Sequence, residues 1–316
     1  MLQHPPVLAI CGPTASGKTE LAARAVAALS ARGHSVEIVC CDSMQVYRRM
    51  DVGTAKPGAA DRAATTHHCI DLVEPWTPYS AADYQRDSSA ALDAIAARGA
   101  VALVVGGTGL YLRGLLGDVD LGGPPPDPER RERLDRLGHA AVVAELQRLD
   151  RGRAARTDLA NPRRVLRAVE LALDSGPGTA PDPGWTARRG RPVCLAVVAP
   201  SERATLYERI DARVEQMLAA GWLDEVAALV ADPRGMSRTA SAAIGYAELA
   251  EVVRGDASLD GAVTAIRRRT RGYARRQLTW FRREPRAEHH RGDPESLAGS
   301  VIGQFERALD ACTSTS

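Results

Sequence analysis

No apolar run in this chain is long enough to cross a bilayer. The longest, Val101–Val105 and Val193–Ala199, fall far short of the roughly 20 residues a membrane helix needs. The amino terminus has no basic segment ahead of its apolar run and no cleavage pattern after it. No signal peptide or membrane association is expected, and the cytoplasm is the expected compartment. No Cys-x-x-C spacing occurs among the six cysteines. Cys11, Cys40, Cys41, Cys69 and Cys194 sit in or beside apolar runs and Cys312 lies in the tail. They read as buried reduced thiols, which excludes a disulfide framework and a structural zinc site. No internal repeat is found. Net charge is only +2, but acid is missing where it would be expected. Eight arginines fall between Arg267 and Arg283 with no Asp or Glu among them. Smaller groups are Arg163, Arg164 and Arg167, then Arg188, Arg189 and Arg191. Arginine without balancing carboxylate favours a polyanionic partner.

What is present begins at Val7. Five strand-like residues, Val7-Leu8-Ala9-Ile10-Cys11, run into Gly12-Pro13-Thr14-Ala15-Ser16-Gly17-Lys18-Thr19 and then into a helix. Two glycines bracketing four residues, followed by Lys and Thr, form a P-loop pattern. In it, backbone N–H groups wrap a phosphate, the lysine reaches its outer oxygens and the hydroxyl serves Mg²⁺. The helix that follows points its positive dipole end at the anion. A bound phosphate or diphosphate is expected; the loop alone does not identify the molecule.

Further along, Val36–Cys41 reads as a buried parallel strand ending at Asp42-Ser43. Ile70–Val73 is a weaker strand candidate. Ser80 reads as the N-cap of a helix running to about Arg98, with Asp83 completing a capping box. The strand Val101–Val105 ends in Gly106-Gly107-Thr108-Gly109 and enters another helix. Gly122, Gly123 and three prolines then mark a boundary. Helical patterns over 129–150 and 162–173 follow, then the loose 174–190 stretch. The strand Val193–Ala199 returns to the first pattern. Helices follow over 201–231, broken near Gly221, over 240–253, and over the arginine-rich 259–281. The expected fold is α/β: a P-loop NTPase-like parallel sheet flanked by helices, with an inserted helical domain. Residues 1–117 and 192–290 would form the core, 118–191 the insertion and 291–316 a partly ordered tail.

Parallel strands joined by right-handed crossovers put the P-loop, Asp42-Ser43 and Gly106-Gly107-Thr108 at one sheet edge. Where a P-loop ATPase carries an acid after an apolar strand, this chain has glycines after Val105. That counts against a mechanical or switch NTPase and leaves small-molecule kinases and other group-transfer enzymes. Asp42 is the candidate general base or water-mediated Mg²⁺ partner, against a plain turn-capping role. Thr108 is a helix cap or a donor to a phosphate oxygen.

Seven stretches carry a resemblance to a known family. They are Gly-Pro-Thr-Ala-Ser-Gly-Lys-Thr at 12–19, Asp-Ser-Met-Gln-Val-Tyr at 42–47 and Met-Asp-Val-Gly-Thr-Ala-Lys-Pro at 50–57. His-His-Cys-Ile-Asp at 67–71, Tyr-Ser-Ala-Ala-Asp-Tyr at 79–84 and Val-Gly-Gly-Thr-Gly-Leu-Tyr at 105–111 follow. The last is Arg-Arg-Gln-Leu-Thr-Trp-Phe-Arg at 275–282. In this order, across about residues 7 to 283, the chain resembles the bacterial-type tRNA dimethylallyltransferases, or tRNA isopentenyltransferases.

The resemblance implies transfer of a dimethylallyl group from dimethylallyl diphosphate to N6 of the adenosine 3′ of the tRNA anticodon. Mg²⁺ is the implied cofactor, and a monomer is expected. Gly12, Pro13, Thr14, Ala15, Ser16, Gly17, Lys18 and Thr19 would hold the diphosphate, with Arg213 assisting. Thr19 and Asp42 would serve Mg²⁺, the latter through water. Asp42, Thr108 and Lys18 would be catalytic. Asp42, Ser43, Met44, Gln45 and Thr108 would meet the flipped-out adenine. Further RNA contacts are implied at Arg131, Arg163, Arg164, Arg167, Gly245, Tyr246, Arg275, Arg276 and Gln277. Two positions depart from the family pattern: Arg163 stands where Gln is usual, and Ala247 where a basic residue is usual. The insertion and arginine helix favour the anticodon stem-loop over free AMP, the acceptor of the related adenylate enzymes. An RNA-binding module with an inert P-loop is the non-enzyme alternative.

Overall fold

The computed structural model describes residues 6–119, 121, 127–175 and 192–313. The glycine–proline boundary at 122–126, most of the loose 174–190 stretch and the third arginine group at 188–191 lie outside them. The described residues fall into two compact units: 1–118 with 189–316, and 119–188.

The first unit begins with β1 (Val7–Cys11), α1 (Lys18–Ala31), β2 (Val36–Cys41), α2 (Ala59–Ala64) and β3 (His67–His68). It continues with α3 (Ala81–Ala97), β4 (Val101–Gly106) and α4 (Gly109–Leu115). The second unit holds α5 (Pro128–Leu137), α6 (His139–Leu149), α7 (Arg151–Arg156) and α8 (Pro162–Ser175). Its core is built by Leu134, Val142, Leu146, Val165, Leu166 and Val169. The chain then returns through β5 (Val193–Ala199), α9 (Arg203–Ala219), α10 (Trp222–Ala231) and a 3₁₀ turn at Ala240–Ala242. The last elements are α11 (Tyr246–Arg254), α12 (Leu259–Arg282), β6 (Ala287–Arg291) and α13 (Pro294–Thr313).

Among the described residues six parallel strands form one sheet in the order β3-β2-β4-β1-β5-β6. All five residues of β1 and all six of β2 are buried, as expected of strands covered on both faces. On one face Leu8, Ile10, Leu103 and Val198 pack against α1 and α13 through Leu21, Leu29, Val301 and Phe305. On the other, Ala9, Val39, Val104 and Val197 meet Tyr84, Tyr111, Trp222 and Tyr246. The register places the functional edge. Cys11 pairs with Gly106, and Cys41 pairs with Gly106 from the other side. The carboxyl ends of β1, β2 and β4 are therefore level, so the loops leaving them start from one line.

Three expectations are revised. The carboxyl-terminal segment is not a loose tail: β6 adds to the sheet beside β5, and α13 covers α1. Val301 and Phe305 are fully buried, each contributing about 2 kcal/mol of apolar burial. Ile70–Val73 is not a strand. Cys69 and Asp71 both take positive φ, which breaks extended pairing, and the strand forms at His67–His68 instead. Residues 240–253 do not form one helix, because Gly245 adopts φ 96° and starts α11 afresh.

Candidate active site

The P-loop joins β1 to α1. Gly17, in the left-handed conformation, caps α1, so the helix opens on Lys18 and aims its first free N–H groups at the loop. The Ser16 hydroxyl is buried and has no protein partner. The Lys18 ammonium turns back onto the Pro13 carbonyl at 2.5 Å. Burial lowers its pKa to about 8, and the neighbouring Arg213 guanidinium adds to the shift; Cys11 and Asp42 oppose it. Arg213, reaching in from α9, is itself lowered by burial and supported by Asp42. Two cations thus face one space, and the Asp42 carboxylate offsets part of the burial cost of each.

That space is a cavity of about 630 Å³. Thr14, Ser16, Gly17, Lys18 and Thr19 line one wall; Asp42, Gln45, Gly106 and Gly107 line another, with Arg213, Tyr273 and Gln277 closing it. The three loops read from the sequence as anion-friendly therefore converge. Asp42 Oδ1 accepts from the Met44 N–H at 2.8 Å. The turn-capping role is real, but it uses one oxygen; among the described residues Oδ2 has no hydrogen-bond partner. Thr108 occupies the N-cap of α4 without capping it. Its Oγ1 instead accepts from the Ser43 N–H at 3.3 Å, which fixes the Asp42 loop to the β4 loop. Gln45 Nε2 donates to the Thr54 and Ala55 carbonyls at 3.2 and 3.3 Å.

Two contributors escaped the sequence reading. Tyr273 lies on α12 and lines the cavity, its pKa raised by burial and by Asp42. It stands four residues before Gln277, one helical turn on the same face, and that spacing was the available signal. The second is Glu225 on α10. Its carboxylate accepts from the backbone N–H groups of Asp51, Val52 and Gly53 at 2.7, 2.7 and 3.2 Å, and from the Tyr246 hydroxyl at 2.7 Å. It anchors the loop whose carbonyls hold Gln45. Nothing in local sequence links positions 51–53 to 225.

The RNA-contact candidates divide. Gly245 and Tyr246 are buried, and Tyr246 packs edge-on against Trp222 at 6.0 Å. A β-carbon on Gly245 would sit 2.2 Å from the Trp222 ring. Tyr246 holds Glu225 through its hydroxyl and Gly245 lies against Trp222, so both side-chain positions face the interior. Gln277 is also buried, 6% exposed, and both ends of its carboxamide are engaged inside the protein. The arginine run is less unbalanced than it reads. Arg267 pairs with Glu215 at 2.6 Å, Arg269 with Glu248 and Arg271 with Asp211. These three fasten α12 to α9 and α11. Arg275 and Arg276 are exposed and have no carboxylate partner among the described residues. In the second unit Arg131 forms two 2.8 Å bonds to the buried Glu170, and Arg167 reaches the same carboxylate at 3.4 Å. Arg163 and Arg164 are exposed on α8, with Arg164 3.8 Å from Asp158.

Among the described residues no cluster of three or more His, Cys, Asp or Glu side chains offers a metal site. The available donors are the Thr19 hydroxyl, the orphaned Ser16 hydroxyl and the Asp42 carboxylate. That set fits Mg²⁺ delivered on phosphate oxygens and still carrying waters, with protein supplying one or two ligands.

The sequence model of the IPP transferase family matches residues 45–284. A tRNA dimethylallyltransferase 1 of Pelobacter propionicus is 43% identical over 289 residues, covering 89% of this chain and 91% of that one. The solved tRNA isopentenylpyrophosphate transferase of Bacillus halodurans superposes with a TM-score of 0.69 at 31% identity, covering 97% of this chain and 98% of that one. A eukaryotic dimethylallyltransferase acting on tRNA shares the fold, with a TM-score of 0.77 at 22% identity over 98% of this chain and 80% of its own. The chain belongs to the IPP transferase family of tRNA dimethylallyltransferases.

Proposed function

We infer that this protein transfers the dimethylallyl group of dimethylallyl diphosphate to N6 of the adenosine 3′ of the anticodon in tRNA. The observation that carries the chemistry is the facing pair of Lys18 and Arg213. Both line the cavity, each is depressed by burial, and the Asp42 carboxylate opposes the shift in both. A diphosphate placed there relieves their repulsion, and it gains most as the C1–O bond breaks and charge builds on the leaving oxygen. On the opposite wall the free Asp42 oxygen is positioned to take the N6 proton as the N6–C1 bond forms. Thr108 Oγ1, accepting from the Ser43 N–H, ties that wall to the β4–α4 loop. Diphosphate is the product that leaves, so nothing in the site needs to activate water. Mg²⁺, held by Thr19 and through water by Asp42, would add charge neutralisation on the diphosphate oxygens.

The acceptor is read as an anticodon stem-loop. Exposed Arg275 and Arg276 on α12, and Arg163 and Arg164 on α8, supply phosphate-binding charge that a free nucleotide has no use for. A tRNA acceptor supports the cytoplasm as the site of the reaction. Every group named around the cavity comes from one compact unit of one chain, which supports action as a monomer. The glycines after β4 count against a mechanical or switch NTPase, and a small-molecule kinase has no use for the exposed arginines of α12 and α8. The test incubates the protein with Mg²⁺, dimethylallyl diphosphate and either unmodified tRNA or AMP, then digests and separates the nucleosides. N6-dimethylallyladenosine from tRNA alone is expected. Its appearance on AMP alone, or on neither, overturns the assignment.

A further inference from the structure

Gln277 belongs to the family-like stretch 275–282, in which the resemblance implies RNA contacts at Arg275, Arg276 and Gln277. The fold splits that stretch. Arg275 and Arg276 face outward, whereas Gln277, on the inner face of α12, is 6% exposed. Its Oε1 accepts from the Thr14 N–H of the P-loop at 2.9 Å. Its Nε2 donates to the Gly107 carbonyl of the β4–α4 loop at 2.9 Å. Donor and acceptor needs differ at the two ends, so only one orientation of the amide satisfies both. The contact is also closely packed. A β-carbon on Gly107 would fall 2.2 Å from Gln277 Nε2 and 2.9 Å from the Gly12 carbonyl. The P-loop backbone, the Thr108 loop and the Gln277 amide therefore meet without room for a methyl group.

We propose that Gln277 is a positioning residue for group transfer, a tie that sets the distance between the diphosphate loop and the loop carrying Thr108, and not an RNA contact. The inference rests on the diphosphate-and-acceptor reading of the cavity. The leaving group sits on one side of this tie and the proton-accepting wall on the other. In-line transfer tolerates little error in their separation, because rate depends steeply on near-attack geometry. The tie also commits the Thr14 N–H to protein.

Three variants test this: Gln277→Leu, of similar size with neither bond; Gln277→Glu, which keeps the Thr14 acceptor and sets an oxygen against the Gly107 carbonyl; and the Arg275→Ala/Arg276→Ala pair. Each is first checked for a cooperative unfolding transition; where Gln277→Leu fails it, Gln277→Glu carries the test. Two readouts follow. One is the single-turnover rate at saturating tRNA and dimethylallyl diphosphate, with tRNA Kd measured separately. The other is calorimetric binding of inorganic diphosphate with Mg²⁺, which requires no transfer activity. For the Gln277 variants the expected result is a rate lowered about 10- to 100-fold, diphosphate affinity lowered several-fold and tRNA Kd within about twofold of wild type. The arginine pair should raise the tRNA Kd and leave diphosphate affinity near wild type. A raised tRNA Kd with an unchanged saturated rate would make Gln277 an RNA contact and overturn the proposal. Unchanged diphosphate affinity and rate would overturn it equally. Failure of the wild-type protein to prenylate tRNA would refute the functional reading instead, and the diphosphate arm would still decide whether Gln277 shapes the P-loop.

Discussion

Replacing Glu225 with alanine removes the acceptor for three backbone N–H groups and one phenol at a stroke. The bonds run from Asp51, Val52, Gly53 and Tyr246 at 2.7, 2.7, 3.2 and 2.7 Å. Hydrogen bonds to a charged acceptor contribute about 1.5–3 kcal/mol each, so a simple sum would exceed 6 kcal/mol. Asp51 is exposed and Glu225 itself half-buried, so water can replace part of what is lost. The buried Tyr246 hydroxyl has no such recourse. The expected cost is about 2–4 kcal/mol, read as a lowered denaturant midpoint. The same change frees the loop whose Thr54 and Ala55 carbonyls hold Gln45, so transfer should slow at saturating substrates. Tyr246→Phe removes one bond and leaves the three N–H contacts, and should cost about 1 kcal/mol with little effect on rate. A Glu225→Ala midpoint equivalent to less than about 0.5 kcal/mol from wild type would refute the claim that this carboxylate anchors the loop.

Other predictions follow from the same geometry. Asp42→Ala should reduce the transfer rate about 10²- to 10⁴-fold while tRNA affinity, measured by filter binding, stays near wild type. Lys18 sits at about 8, below its ordinary 10.5, because burial and Arg213 disfavour its charge. Diphosphate favours the charged form, so calorimetric diphosphate affinity should be full below pH 8 and fall as pH rises through it; a flat profile to pH 9.5 would contradict this. For the free protein the linkage runs the other way. The penalty for burying charged Lys18 is fully present below pH 8 and is relieved between about 8 and 10.5. Arg275→Ala/Arg276→Ala should weaken tRNA binding and reduce the salt slope of log K by about 1.5–2. Phe305→Ala should destabilise the protein by about 3–5 kcal/mol, because α13 is part of the core.

What could be read in advance follows the strength of local pattern. β1, β4 and β5 are uninterrupted apolar runs and β2 is broken only by Glu37, and strands buried on both faces announce themselves that way. The P-loop, Asp42 and Thr108 were legible because each sits at the end of such a run. β6, with the sequence Ala-Glu-His-His-Arg, carries no apolar pattern. It is an edge strand with one buried residue, His290, satisfied by Gln304 Oε1 at 3.0 Å, and only β5 beside it makes it a strand. The arginine run misled in the same way. Its missing acids stand on α9 and α11, at Asp211, Glu215 and Glu248, where no reading along the chain finds them. Gly245-Tyr246 and Gln277 were found as motifs, but their roles depend on which way each side chain faces. A buried phenol on Glu225 and a buried amide between two loops are tertiary facts, invisible to spacing.

The central claim is that the P-loop holds a departing diphosphate and not a nucleotide being hydrolysed. The direct measurement is inorganic diphosphate released against dimethylallyl groups fixed on tRNA, in one reaction containing Mg²⁺ and dimethylallyl diphosphate and no nucleoside triphosphate. A one-to-one ratio is expected, with release dependent on tRNA. A requirement for ATP, or diphosphate released at the same rate without tRNA, would contradict it.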